Sequence, residues 1–417
     1  MVQPGPRSYM SLLDRARVPL GAMLAEQSTP IQQAEAFLLS SAIDAWLVYD
    51  YQGMNPALAD LVRTSGFLTR PVFLLIHPGD EPVMLVSAVD AGQVHTAGLS
   101  VQPYVGLQDV HAKLGTLVAP LRTVAMEYSP LRQLPRASRV DAGTVELVRS
   151  LGVEVVSSAE LLQYSTQRWS DAGLASHRRA VNQISAIVLD AFAEIGNRLT
   201  TGVTEHDIHE SIMARFADAG LETDHGPVVA ANGHASDPHF APRPEAGVRF
   251  APGDWVLIDL WAKEQGPDAI YADITWTAHI GATVPDERQR VFDVVTGARD
   301  AATDFLRERL APGQNARGAQ GWEADHVARR YITDAGYGDY FVHRLGHSLG
   351  KQVHAGGVNL DSIETHDTRT FLPGLGFTIE PGVYLPQFGV RSEIDLHVGP
   401  RGLEITTPVQ RDVVLIG

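Results

Sequence analysis

The sequence has no cysteine, so disulfides, thiolate metal sites and cysteine nucleophiles are all excluded. Any metal has to be held by carboxylates and imidazoles. Lysine is nearly absent, occurring only at positions 113, 263 and 351, and arginine supplies the rest of the positive charge. The formal net charge is −16, without the clustered basic residues that a nucleic-acid surface needs, so nucleic acid is not an expected partner. No apolar run approaches the roughly 18–20 residues of a membrane span, and the first twenty residues lack the apolar stretch of a secretory signal. The expectation is a cytoplasmic protein with no membrane association. Low-complexity tracts and tandem repeats are missing as well.

What remains is a 417-residue chain with 44% apolar and 20% charged residues, the composition of a globular protein too long for one ordinary core. The first part alternates between helical and strand patterns. A helix is expected after Ser28-Thr29-Pro30, leading into the apolar run from Ala45 to Tyr49. Further strand patterns fall at 71–76, 82–88, 123–128 and 153–158, with a turn signal at 78–82. Helical periodicity then covers about 171–199, and Thr204 with Asp207 three residues on marks the start of another helix, to about Ala219. Helices at about 286–310 and 318–336 separate β-rich blocks at 226–231, 254–280 and 374–399. These changes of pattern put a domain boundary near 166, dividing the chain into 1–165 and 166–417.

The chemistry concentrates in the second part. In GDWVLIDLWAKEQGPDAIYADITWT, Asp259 and Asp273 lie on successive apolar strands, where two unpaired carboxylates would each cost several kcal/mol. A shared cation removes that cost. FVHRLGHSLGKQVH supplies His343, His347 and His354, with Gly346 and Gly350 allowing a close backbone approach. GFTIEPGVY ends an apolar strand with Glu380, and GVRSEIDLHV places Glu393 two residues after Arg391, read as one strand face. Donors of type Asp, Asp, His, Glu, Glu suit manganese, cobalt or zinc and are unusual for a purely structural zinc site.

These stretches, in this order, resemble the pita-bread metallopeptidase family that includes aminopeptidase P, prolidase, methionine aminopeptidase and creatinase. The matching motifs are IDL with YADIT, HRLGHSLGKQVH, TIEPGVY and GVRSE. Residues 1–165 are similar to the creatinase-type N-terminal domain of the prolidase and aminopeptidase P branch. The resemblance implies an α/β creatinase-like N-terminal domain followed by an α+β pita-bread catalytic domain. It also implies two divalent metal ions: Asp259 and Asp273 on one, His347 and Glu380 on the other, with Asp273 and Glu393 bridging. Glu380 is implied as the group that handles the proton of a metal-activated water. His354 and His239 match the family's substrate-contacting imidazoles, His343 a further pocket histidine, and Arg391 a partner orienting a ligand carboxylate.

The implied activity is that of an exopeptidase on short peptides, of the Xaa-Pro class, in a homodimer. Phe240, Tyr384 and Trp276 are candidate walls for a proline ring because they lie near the motifs in sequence. The chain departs from the family pattern at Trp261, Trp276 and Ala355, where Gly, Arg and an acid are usual, and in the 13 residues between Asp259 and Asp273. Lost charges leave carboxypeptidase-type cleavage open. A creatinase-like hydrolase of non-peptide C–N bonds and a peptide-binding pseudoenzyme are the other readings.

Overall fold

The computed structural model describes residues 29–245, 247–312 and 318–417. Ser28 of the expected first helix start and residues 1–28 of the expected N-terminal domain lie outside the described residues. The described chain divides into two compact units between Gln167 and Arg168.

The first unit is α/β. Helix α1 (Pro30–Leu39) starts at Thr29, whose side chain and that of Gln32 cap one another's backbone amides. It precedes β1 (Ala45–Asp50). Then come α2 (Pro56–Leu61), β2 (Val72–Ile76), β3 (Val83–Ser87), β4 (Ser100–Tyr104), α3 (Gly106–Val118), β5 (Thr123–Met126), α4 (Ala142–Ser150), β6 (Glu154–Ser157) and α5 (Ala159–Thr166). The sheet order is β4-β3-β2-β1-β5-β6. The turn signal at 78–82 joins the antiparallel pair β2 and β3. The sequence pattern misses β4, which carries Pro103 and is only half-buried along most of its length. Beneath the sheet the Glu127 carboxylate is fully buried and takes hydrogen bonds from Trp46 Nε1 (2.6 Å), Asn55 Nδ2 (2.7 Å) and Ser158 Oγ (2.9 Å).

The second unit opens with α6 (Asp171–Arg198), capped by Ser170, and α7 (Glu205–Asp218), which begins with the Thr204–Asp207 capping box. Strands β7 (Leu221–Glu222), β8 (Val228–Ala231), β9 (Trp255–Glu264) and β10 (Ala272–Ile280) follow, then α8 (Asp286–Arg309) and α9 (Gly321–Asp334). The chain ends with β11 (Ser348–Leu349), β12 (Gly376–Ile379), β13 (Gly382–Leu385), β14 (Phe388–Arg391), β15 (Ile394–Gly399), β16 (Gly402–Ile405) and β17 (Val414–Ile416). One sheet runs β17-β10-β9-β7 with β8 also on β9, and a second runs β11-β12-β15-β16.

The hairpin β9–β10 is central because both its faces are covered. Even-numbered Val256, Ile258, Leu260, Ile274 and Ala278 pack into an apolar cluster with Ile184, Val188, Ile208 and Ile212 of α6 and α7. On the other face, Trp255 and Leu257 join a second cluster with Val291, Val295, Phe377 and Ile394. Burial of each such side chain stabilises the fold by about 1.5–3 kcal/mol. On that second face the odd positions change from hydrocarbon to carboxylate at Asp259. The site begins where the second apolar cluster ends.

Candidate metal centre

In the antiparallel register of β9 and β10, Asp259 lies opposite Thr275 and Trp261 opposite Asp273. Opposed residues project to the same side of a sheet, so Asp259, Trp261, Asp273 and Thr275 share one face. Trp276 lies opposite Ile258 and packs into the cluster with α6 and α7, on the other face. It is therefore not a wall of any pocket on the acidic side, because neighbours along a strand alternate between faces.

The remaining groups arrive from the second sheet. His347 immediately precedes β11, Glu380 immediately follows β12, and Glu393 stands just before β15. Arg391 ends β14, so Arg391 and Glu393 do not share one continuous strand. They meet instead on Thr275: Arg391 Nε donates to its Oγ1 (3.0 Å), and that hydroxyl donates to Glu393 Oε2 (2.8 Å). Gly346 makes the approach of the His347 segment possible, since a Cβ there would lie 2.1 Å from the carbonyl oxygen of Thr378. The Thr378 hydroxyl accepts the His347 amide (3.1 Å), and its own amide donates to the His347 carbonyl (2.9 Å).

Asp273, His347 and Glu393 are all buried and offer ligand atoms within 4.8 Å of one another. His347 Nε2 is 3.6 Å from Asp273 Oδ2 and 3.5 Å from Glu380 Oε1. Its Nδ1 faces the Ser348 carbonyl at 3.2 Å, which fixes the proton there and leaves the Nε2 lone pair aimed at the carboxylates. Asp259 is held by Arg391, whose Nη2 lies 2.6 Å from its Oδ2. Asp395 accepts the Asp273 backbone amide at 2.9 Å, a support that the sequence pattern alone does not reveal.

The electrostatics of the cluster are those of a cation site. Burial, followed by the charges of neighbouring carboxylates, raises Asp273 and Glu393 well above the usual carboxylate range. Burial pushes Glu380 up to about 7 against the opposing pull of Arg391 and Arg344. Asp259 Oδ1 and Asp273 Oδ1 are buried without a hydrogen-bond partner. Orphaned carboxylate oxygens in a crowded acidic cluster fit a divalent ion, which would satisfy them and relieve the repulsion together.

The other expected residues are placed unequally. His354 is exposed, and its ring lies 4.3 Å from that of His347. His239 is exposed on the loop after the short 3₁₀ turn 232–236, with only its backbone amide held, by Asp237 (3.0 Å). Phe240 stacks on His234 at 4.3 Å. His343 donates from Nδ1 to the Arg344 carbonyl (2.7 Å), so its Nε2 accepts from the Tyr384 hydroxyl (2.7 Å). That hydroxyl in turn accepts from Arg391 Nη1 (2.8 Å). Burial and the nearby Arg391 charge push His343 down to about 3, keeping it neutral. Both its nitrogens are engaged inside the protein. Ala355 is buried and donates its amide to Ser348 O (2.8 Å).

Comparison with known proteins gives the chain's family and fold. Residues 177–400 match the model of metallopeptidase family M24. The chain is 35% identical over 199 residues to an Xaa-Pro dipeptidase of Lactobacillus delbrueckii subsp. lactis, covering 47% of this chain and 48% of that protein. It is 32% identical over 219 residues to an Xaa-Pro dipeptidase of Pyrococcus furiosus, covering 52% and 57%. The chain thus spans about half the length of these curated relatives. Among solved structures, dipeptidase PepE from Mycobacterium ulcerans superposes with a TM-score of 0.70 at 22% identity, over 93% of this chain and 97% of that one. The prolidase from Pyrococcus horikoshii does so with a TM-score of 0.63 at 22% identity, over 92% and 99%. The fold is accordingly an α/β N-terminal unit followed by an α+β pita-bread unit. No helix among the described residues is long and apolar enough to cross a membrane.

Proposed function

The chain belongs to metallopeptidase family M24, and from that premise we propose that it is a metal-dependent exopeptidase acting on short peptides of the Xaa-Pro class. The observation that carries this reading is the buried triad Asp273, His347 and Glu393, flanked by Asp259 and Glu380, whose negative charge calls for a cation. We assign two divalent ions to it, manganese, cobalt or zinc: Asp259 with Asp273, and His347 with Glu380, Asp273 and Glu393 being shared. When bound, the ions supply Lewis-acid activation of a water and of the scissile carbonyl.

The protein's own groups supply the rest. Glu380, beside His347, takes the proton of the attacking water and returns it to the leaving nitrogen. That return matters for a prolyl leaving group, whose amide nitrogen carries no hydrogen until it is protonated. His354, beside His347, and His239 donate to the carbonyl oxygen as charge develops on it. Arg391, Tyr384 and His343 form a line of hydrogen bonds that orients Asp259. We assign residues 1–165 to a creatinase-like N-terminal domain and 166–417 to the catalytic domain, in a cytoplasmic homodimer.

One support for carboxypeptidase-type cleavage weakens. Trp276, where the family commonly has an arginine, points into the apolar cluster and removes no charge from the acidic face. The test is mass spectrometry of products from Xaa-Pro and Pro-Xaa dipeptides and a pentapeptide with internal proline, supplied with manganese, cobalt or zinc. Release of the amino-terminal residue from Xaa-Pro substrates is expected. If no terminus is shortened under any of the three metals, the exopeptidase reading fails.

A further inference from the structure

The acidic face of β9 and β10 carries one large side chain that the metal centre does not use. Trp261 stands directly opposite Asp273 and two residues from Asp259 on the same side. Its indole is fixed: Nε1 donates to Asp224 Oδ1 at 2.9 Å, and the ring packs on a small apolar cluster that includes Ile270, Tyr271, Leu349 and Val353. Val353 precedes His354, whose ring lies against His347. Trp261 thus pairs with Asp273 across the hairpin and packs on the same cluster as Val353, the neighbour of His354. It is only half-buried, and so offers a surface to whatever enters there.

A peptide carbonyl brought to this cluster has to be flanked by one substrate residue on the carboxylate side. Exposed Asp224, at the edge of the indole, adds negative charge there and favours the free ammonium of an amino-terminal residue. A substrate residue whose ammonium sits there would have its side chain beside the indole.

We propose that Trp261 is a specificity-determining wall that limits the residue preceding the scissile bond to a small side chain such as that of glycine, alanine or serine, with Asp224 as its anchor. This rests on the exopeptidase reading above. An anchored aromatic wall discriminates by exclusion, and removing it relaxes selectivity without touching a ligand.

The experiment compares kcat/KM of the metal-supplemented full-length protein for Gly-Pro, Ala-Pro, Leu-Pro and Phe-Pro with that of Trp261→Ala and Asp224→Ala. Trp261→Ala is expected to raise the Leu-Pro to Gly-Pro ratio about tenfold or more. Asp224→Ala, which loosens the indole but leaves no cavity, is expected to raise it by a smaller factor. A merely structural role would lower all four substrates alike and leave the ratio unchanged, which overturns the proposal. So does a shift confined to a Gly-Xaa series, in which the residue after the bond varies. Should circular dichroism show Trp261→Ala unfolded, Asp224→Ala decides alone. Should the native protein cleave no peptide, the exopeptidase reading falls on that result. Calorimetric affinities for Gly-Pro and Leu-Pro then decide the wall separately, an unchanged ratio between native and variant overturning it.

Discussion

Arg391 and Asp259 form a partly buried ion pair, with Nη2 2.6 Å from Oδ2, and the same guanidinium also holds Thr275 Oγ1 and Tyr384 Oη. Three hydrogen bonds in three directions from one planar fork are what lysine cannot reproduce. Arg391→Lys is therefore expected to keep the fold and the charge but let Asp259 rotate. Metal affinity, measured by competition with a chromogenic chelator, should fall roughly ten- to a hundredfold. Unchanged affinity would mean that Asp259 needs no external orientation.

The crowding of carboxylates gives opposite signs with and without metal. Glu393→Gln keeps the shape and the acceptor for Thr275 but removes one buried negative charge. In excess chelator its Tm should exceed that of the native protein by roughly 2–4 °C, the shift that about 1 kcal/mol makes in a domain of this size. With manganese present the order should reverse. The native protein gains about 2.7 kcal/mol at a metal concentration a hundredfold above Kd, and the variant loses most of that gain. A variant that is less stable than native protein in chelator would show that the acidic cluster does not strain the metal-free fold.

A pH effect comes from two buried imidazoles packed on Trp169, with ring separations of 4.7 Å for His177 and 5.3 Å for His397. Burial pushes each down to about 4 from the ordinary imidazole value of about 6.5. Both are neutral in the fold, while in the unfolded chain they bind protons below about 6.5. Their contribution is thus complete above that pH and is lost progressively as pH falls toward 4. The loss is on the order of 3 kcal/mol for each when complete. The buried carboxylates with raised pKa act in the opposite direction, so the informative quantity is the difference between native protein and His177→Gln. Urea unfolding in chelator at pH 7.5 and pH 5 should show the variant losing less stability than the native protein. An equal loss in both would exclude His177 as a source.

Much of this was legible in the sequence because an acid on an otherwise apolar strand is conspicuous. Asp259 and Asp273 stand out in that way, and the helix starts announced themselves too, at Thr29 through the proline that follows it and at Thr204 through its capping pair with Asp207. Linear proximity misled at Trp276, which follows Thr275 but lies on the other side of the sheet. It misled again at Arg391 and Glu393, where the chain leaves β14 before β15 begins. The supports of the site were hidden for a different reason. Tyr384 finds His343 across 41 residues, and Asp395 finds the Asp273 amide across 122. Such pairings depend on how two sheets meet, and no local period encodes that. Strand β4 escaped notice because its residues are too exposed and too poor in hydrocarbon to mark a strand.

Strand β9 assigns its residues to two duties by parity. From Val256 to Ala262 the even positions hold hydrocarbon against the helices, while Asp259 and Trp261 on the odd side face the chemistry. Sequence drift along these few residues is therefore sorted residue by residue: the even positions answer to packing, while Asp259 and Trp261 answer to what the acidic face has to hold. An exchange at half-buried Trp261 can therefore reshape the acidic face while leaving the even-numbered hydrocarbon side in place.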